Sequence, residues 1–254
     1  MIPPVISILM LVHNAPEYVR IAIDSVRRMT HGIPYELVVL DNASDDDTAK
    51  LLDEMEADGR IDVLLHSAEN TLFARGNNIA ATLTDARSKY YLLLNSDVEI
   101  RSADWLAHLL SVHRRGATSY GLASDPLRLD GYCLLVDADI YDRYPLDTAH
   151  EWTWAVTKQQ AAMLAADLSV QGYAGHERYL HHFGGRSGSA FATAKGQHVE
   201  RKEVYSWFGG RRPVVLDLDA VSAKRRAELL STGMRFQYRR FRHFLGNRLQ
   251  SGRA

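Results

Sequence analysis

Side chains able to hold a polar ligand or a cation fall in four short clusters of this 254-residue chain: His13 and Asn14, Asp41 and Asn42, Asn70, and Asn95 with Ser96 and Asp97. Amides and carboxylates suit the hydrogen-bonding edge of a nucleobase or the hydroxyls of a ribose. A carboxylate also suits a hard cation such as Mg²⁺ or Mn²⁺, which takes oxygen ligands and bridges to phosphate oxygens. The usual glycine-rich cradles are missing: there is no G-x-G-x-x-G after the first apolar run and no G-x-x-x-x-G-K-[ST]. A nucleotide diphosphate held with a divalent metal is the economical chemistry for these residue types.

Each cluster closes a short apolar run. VISILMLV (5–12), ELVVLD (36–41), IDVLLH (61–66) and YYLLLN (90–95) read as buried strands. Between them lie helical patterns at 17–29, at 44–59 with Ser44 as N-cap and Gly59 as stop, and at 73–87. Strands alternating with helices predict βαβ crossovers and a mostly parallel sheet. Ligands bind such sheets outside the carboxyl ends of the strands, which is why a buried strand here finishes on Asp97.

The composition is ordinary for a globular protein, with 46% hydrophobic and 24% charged residues. A formal net charge of -1 gives no global attraction to nucleic acid. Cys133 is the one cysteine, so an intrachain disulfide and a cysteine zinc cluster are both excluded, and a reducing compartment fits. The N-terminal run lacks a basic leader and is too short to span a bilayer, so a cytoplasmic location is expected. One main domain is expected over 1–220, split into halves at about residue 110, with an extension over 221–254.

SILMLVHNAPEYVRIAIDSV, ELVVLDNASDDDT, ENTLFARGNNIA and YYLLLNSDVEI, in this order, resemble the N-terminal half of family 2 glycosyltransferases, in particular a rhamnosyltransferase-like subgroup. The resemblance is close over about residues 5–110 and looser to about residue 190. It implies a GT-A fold: α/β, with a mostly parallel central sheet flanked by helices, here with a C-terminal helical extension. It implies metal-dependent, inverting transfer of a hexosyl or deoxyhexosyl group from a nucleotide-diphosphate sugar to an acceptor hydroxyl. A UDP-sugar is favoured, with dTDP- and GDP-sugars as alternatives; the acceptor would be a glycan, a lipid-linked group or a protein. By the same resemblance Asp41 bonds the base, Asn14, Asn70, Asn78, Asn95 and Ser96 contact the nucleotide sugar, and Asp97 holds Mn²⁺ or Mg²⁺ as the end of an Asn-first variant of Asp-x-Asp. Leu72 is a departure, since related sequences usually have glycine there.

The second half departs further. GYCLLVDADIY (131–141) resembles the family's acceptor-side segment, which is followed by an acidic pair at the start of a helix ending in glycine. Taking the helix as TKQQAAMLAADLSVQGY, with Thr157 and Gln160 as a capping box and Gly172 as its stop, puts the acidic pair near Gln160 and Ala161, where no carboxylate stands. Glu151 and then Asp147 are the candidate general bases. Trp152 and Trp154 are candidates to stack on a sugar face, against ordinary core packing. HHFGGRSG (181–188) resembles the family's H-x-G-G-x-S element, implying His182 beside the metal or diphosphate and Ser187 behind it.

From about residue 221 the sequence is basic, with Phe236, Phe241, Phe244, Leu245 and Leu249 interleaved. Peripheral contact with the inner face of a membrane and simple packing of an aromatic helix side are both compatible with it. A homo-oligomer is a further possibility. Two other functions stay open: an inactive sugar-nucleotide-binding module, which the missing acidic pair fits, and a nucleotidyltransferase, which would carry a glycine-rich basic phosphate loop that VHNAPEY is not.

Overall fold

The structure, a computed structural model, describes residues 5–124, 127–186 and 194–231. The N-terminal half alternates β1 (Ile6–Val12), α1 (Pro16–Met29), β2 (Tyr35–Asp41), α2 (Asp46–Ala57), β3 (Val63–His66), α3 (Leu72–Ala81) and β4 (Tyr90–Leu94). Side chains along β1 alternate between faces: Ile6, Ile8, Met10 and Val12 pack on the side of α1 and α2, and Leu9 packs on the other with Ala74 and Ala80 of α3. Both faces are therefore covered, which explains why these strands are apolar throughout.

The remaining elements are β5 (Val98–Ile100), α4 (Trp105–Val112), β6 (Gly116–Ser119), β7 (Leu122–Ser124), β8 (Leu127–Leu129), β9 (Cys133–Asp137), α5 (Ala138–Arg143), α6 (Thr153–Ala165), β10 (Ser169–Tyr173), β11 (Leu180–His182), α7 (Arg201–Phe208) and β12 (Val214–Leu216). The main sheet runs β12-β10-β6-β9-β4-β1-β2-β3, with β9 antiparallel to both neighbours and the other pairs parallel. The predicted mostly parallel α/β sheet is thus present. β5 leaves its plane to pair antiparallel with β11, and β7 pairs with β8 in a separate hairpin.

Several local expectations change. The N-cap of α2 is Asp45, which accepts from the Thr48 N–H, while the Ser44 hydroxyl accepts from the Asn14 N–H. The third helix stops at Ala81, where the Thr82 and Leu83 N–H groups turn back onto Ile79 and Ala80, and the Asp85 N–H beyond donates to Glu36. The helix expected to run to Gly172 instead spans Thr153–Ala165, and Gly172 lies inside β10. A Cβ on Gly172 would sit 2.2 Å from Leu122 Cδ2, so glycine serves close packing there and does not stop a helix. Thr157 is interior to α6, its hydroxyl donating to the Thr153 carbonyl, and Gln160 forms no capping box. The buried Gln160 amide instead meets Leu129 twice, accepting its N–H at 2.8 Å and donating to its carbonyl at 3.0 Å, and so pins α6 to β8.

Residues 223–231 are helical, and Leu229 is buried in the core beside α7. The interleaved aromatic residues from Phe236 onward lie outside the described residues. No helix among the described residues is long and apolar enough to cross a membrane.

Candidate functional site

The carboxyl ends of β1 to β4 meet at one edge of the sheet, where the turns carry unusual backbone. Asn14, Ala15, Ala43 and Leu72 all have φ near +60°, at 58°, 62°, 58° and 58°. Residues other than glycine take this left-handed conformation at a cost of about 1–2 kcal/mol each, and such strain collects where a loop is held in a particular shape. Leu72 therefore keeps a backbone that glycine would adopt freely.

Side chains hold these turns together. The Asn14 Oδ1 accepts the Asp45 N–H at 2.7 Å, tying the end of β1 to the start of α2. The Asn42 amide donates to Asn70 Oδ1 at 2.8 Å, and its own oxygen accepts from the N–H and hydroxyl of Thr71. Asn70 Oδ1 also accepts the Leu72 N–H at 2.9 Å, which helps to hold the left-handed turn.

Asp41 is 3% exposed at the end of β2. One of its oxygens accepts the Ser44 N–H at 3.0 Å, and the other pairs with His66 Nδ1 at 2.7 Å. His66 Nε2 meets Asp53 at 3.0 Å. The hydrogen bond to Asp41 is the chief reason that the His66 imidazole is raised above its ordinary value, with Asp53 adding to it against the effect of burial.

Asp97 is 4% exposed. Its position follows from strand register: β11 pairs with β5 so that His182 stands opposite Val98, and the Phe183 N–H continues the ladder to the Asp97 carbonyl. His182 Nε2 is 3.2 Å from Asp97 Oδ1, and the His182 ring stacks on Tyr132 at 4.2 Å. Burial would push the Asp97 carboxyl up, but His182, by hydrogen bond and charge, and the Arg186 N–H outweigh it and hold the group below the ordinary carboxylate value. Gly184 and Gly185 have φ of 69° and 65°, which turns the chain here with no Cβ in the way.

A cavity at this edge is lined by His13, Asn42, Asn70, Asn95, Ser96 and Asp97, with Leu11, Phe73 and Trp152 as apolar walls. It gathers one predicted residue or more from each strand end after β1 to β4. The Asn95 side chain makes no hydrogen bond among the described residues.

Other predicted residues stand elsewhere. Asn78 ties α3 to the segment after α5: its amide donates to the Leu146 carbonyl, and its oxygen accepts from Tyr141 and the Leu146 N–H. Asp147 pairs with Lys158 at 2.7 Å and lines a separate groove with Trp207. Glu151 precedes α6, but its carboxylate accepts the Lys195 N–H at 2.6 Å and is absent from the walls of the cavity. Of the two tryptophans, Trp152 faces the cavity edge-on to Phe73, with ring centroids 6.0 Å apart. Trp154 packs against Trp207 and donates to the Gln197 carbonyl. Ser187 lies outside the described residues. Phe73 and Tyr132 were not singled out in the sequence, where nothing separates them from core aromatics.

Residues 7–125 match the family model described as glycosyl transferase family 2. A curated relative, the uncharacterized protein y4gI of Sinorhizobium fredii, is 27% identical over 113 residues, which are 44% of this chain and 12% of that protein. Among solved structures, the mannosyltransferase PcManGT from Pyrobaculum calidifontis, in complex with GDP-Man and Mn²⁺, superposes with a TM-score of 0.53 at 16% identity, covering 63% of this chain and 53% of that one. GalNAc-T7 with UDP, GalNAc and Mn²⁺ gives 0.51 at 13% identity, covering 63% and 40%, and S. aureus TarS residues 1-349 with UDP gives 0.50 at 14%, covering 61% and 55%. This chain thus spans about an eighth of the curated relative's length and about half of the first solved chain's. The fold is the GT-A arrangement of those glycosyltransferases, and its N-terminal half carries the family 2 pattern.

Proposed function

We propose that this chain is a glycosyltransferase that moves a sugar from a nucleotide-diphosphate sugar to an acceptor hydroxyl. The observation that carries the reading is the convergence of strand-end polar residues on one cavity, with the buried Asp97 carboxylate held beside His182 in its wall. The family 2 match over residues 7–125 supports it.

In this reading Asp41 receives an N–H of the base. Each of its oxygens already accepts one bond, and a carboxylate has about four lone-pair sites, so room for a further donor remains. UDP is the favoured nucleotide, with dTDP and GDP as alternatives. Asn95 and Ser96 face the sugar and diphosphate, and Asn14 and Asn70 shape the turns beneath them.

Asp97 and His182 would hold a divalent cation. Among the described residues no third His, Cys, Asp or Glu joins them, which suits Mg²⁺ or Mn²⁺ better than an all-protein cage, because such ions keep waters and share substrate phosphate oxygens. Mn²⁺ also accepts a mixed set of oxygen and imidazole nitrogen. When bound, the cation supplies positive charge to the departing diphosphate. Phe73 and Trp152 wall off one side and exclude water from the sugar. Direct displacement with inversion, a hexose or deoxyhexose in the donor, and a glycan, lipid-linked or protein acceptor complete the proposal.

A binding module without turnover is the second reading, favoured by the Glu151 carboxylate being bonded to the Lys195 N–H away from the cavity wall. Phosphorus NMR of the protein with UDP-, dTDP- and GDP-sugars and Mn²⁺ separates the readings. Release of free nucleoside diphosphate is expected. Binding without release would leave the module, and release of pyrophosphate would mark a nucleotidyltransferase.

A further inference from the structure

A second cavity adjoins the first across three shared walls, Phe73, Asn95 and Trp152. Its other walls include Asp130, Gly131, Tyr132 and the first residues of α6. Asp97 is the carboxylate of the first cavity and Asp130 that of the second. One carboxylate therefore lies on each side of a common boundary.

Asp130 is fixed by backbone. Its N–H donates to the Gly121 carbonyl at 2.9 Å, and its own carbonyl accepts the Ser119 hydroxyl at 2.8 Å. A Cβ on Gly121 would fall 2.7 Å from Asp130 Cβ, so the two segments are in close contact. In the side chain, Oδ1 accepts the Gly131 N–H at 2.8 Å, and Oδ2 has no hydrogen-bond partner among the described residues. Gly131 packs closely on the cavity walls, since a Cβ there would reach Val156 at 3.0 Å and Phe73 at 3.1 Å. One oxygen thus anchors the group, and the other carries no such bond in a residue that lines the cavity.

Resting on the glycosyltransferase reading, we infer that Asp130 is the general base of the transfer and that the second cavity receives the acceptor hydroxyl. Oδ2 takes the hydroxyl proton as that oxygen bonds to the anomeric carbon. The bond from the anomeric carbon to the diphosphate oxygen breaks, and its electron pair leaves with the nucleoside diphosphate. The arrangement supplies the base that the start of α6 lacks, where Trp152 follows Glu151 and lines both cavities.

The test uses water and azide as acceptors, with whichever of the UDP-, dTDP- or GDP-sugars the wild type hydrolyses. Asp130→Asn keeps an oxygen for the Gly131 N–H, and Asp130→Ser is the second variant should the first fail to fold. Hydrolysis is expected to fall about a hundredfold or more, the smaller end of what a general base contributes, with nucleoside diphosphate affinity unchanged. Azide is already an anion and carries no proton to remove. It is expected to restore donor turnover in the Asp130 variants and yield the glycosyl azide by mass spectrometry. Glu151→Gln is expected to stay near wild type. Hydrolysis by the Asp130 variants within about twofold of wild type, azide without effect, or a hundredfold loss in Glu151→Gln instead would each overturn the assignment. A wild type that binds no nucleoside diphosphate would overturn the glycosyltransferase reading itself, and the base with it.

Discussion

At Asp41 the carboxylate has an imidazole partner that the sequence does not disclose. His66 ends β3 in register with Asp41, at the edge where β2 and β3 run parallel. Asp41 and Asp53 are the charged groups that raise the His66 imidazole. Because its folded value lies above the ordinary 6.5, the imidazolium's contribution to stability is fully present below pH 6.5 and disappears as pH rises through the raised value. His66→Gln is therefore expected to lower the melting temperature most at about pH 6, and the gap from wild type should close at alkaline pH. A gap that stays constant or widens with pH would show that the pair does not hold His66 charged. Asn42, Asn70 and Asp97 line the cavity, and the sequence marks them, with Asp41, as candidates because each stands after an apolar run. Asn78 was misleading: an amide in a helix interior signals a polar partner, but here the partners are Tyr141 and Leu146.

The elements of the N-terminal half could be read to within a few residues because alternation and helical spacing agree there. The start of α6 could not. TKQQAAMLAADLSVQ followed by glycine imitates a helix with its stop, whereas β10 is a five-residue strand whose place is set by neighbours on either side, β6 and β12. Strand preference depends on such surroundings more than on residue type. Leu72 shows the opposite case, in which a residue other than glycine holds left-handed backbone. Left-handed backbone disfavours leucine by about 1–2 kcal/mol, and a β-branched residue fits it worse still. Glycine gives back part of this gain through its freedom in the unfolded chain. Thermal melting should thus rank Leu72→Gly above wild type by up to about 1 kcal/mol, and Leu72→Val below it. The reverse order would mean that the side chain's packing, and not its backbone, decides the turn.

Over the whole molecule, a near-neutral formal charge of -1 leaves recognition to local features, and the features that bear on chemistry lie along one edge of the sheet. The family match stops at residue 125, where the described chain turns from the alternating strands and helices to the hairpin and helices around the second cavity. That is also where sequence reading lost its hold, since cavity-lining groups such as Asp130 come from short loops with no periodicity to mark them. The central claim, that the edge at Asp97 binds a nucleoside diphosphate through a divalent cation, is tested most directly by calorimetric titration of UDP, with and without Mn²⁺, into wild type and Asp97→Asn. The account predicts that Mn²⁺ tightens UDP binding to the wild type about tenfold or more, equivalent to about 1.4 kcal/mol, and that Asp97→Asn loses this gain while its fold is unchanged by circular dichroism. Equal tightening by Mn²⁺ in a folded Asp97→Asn protein would contradict it.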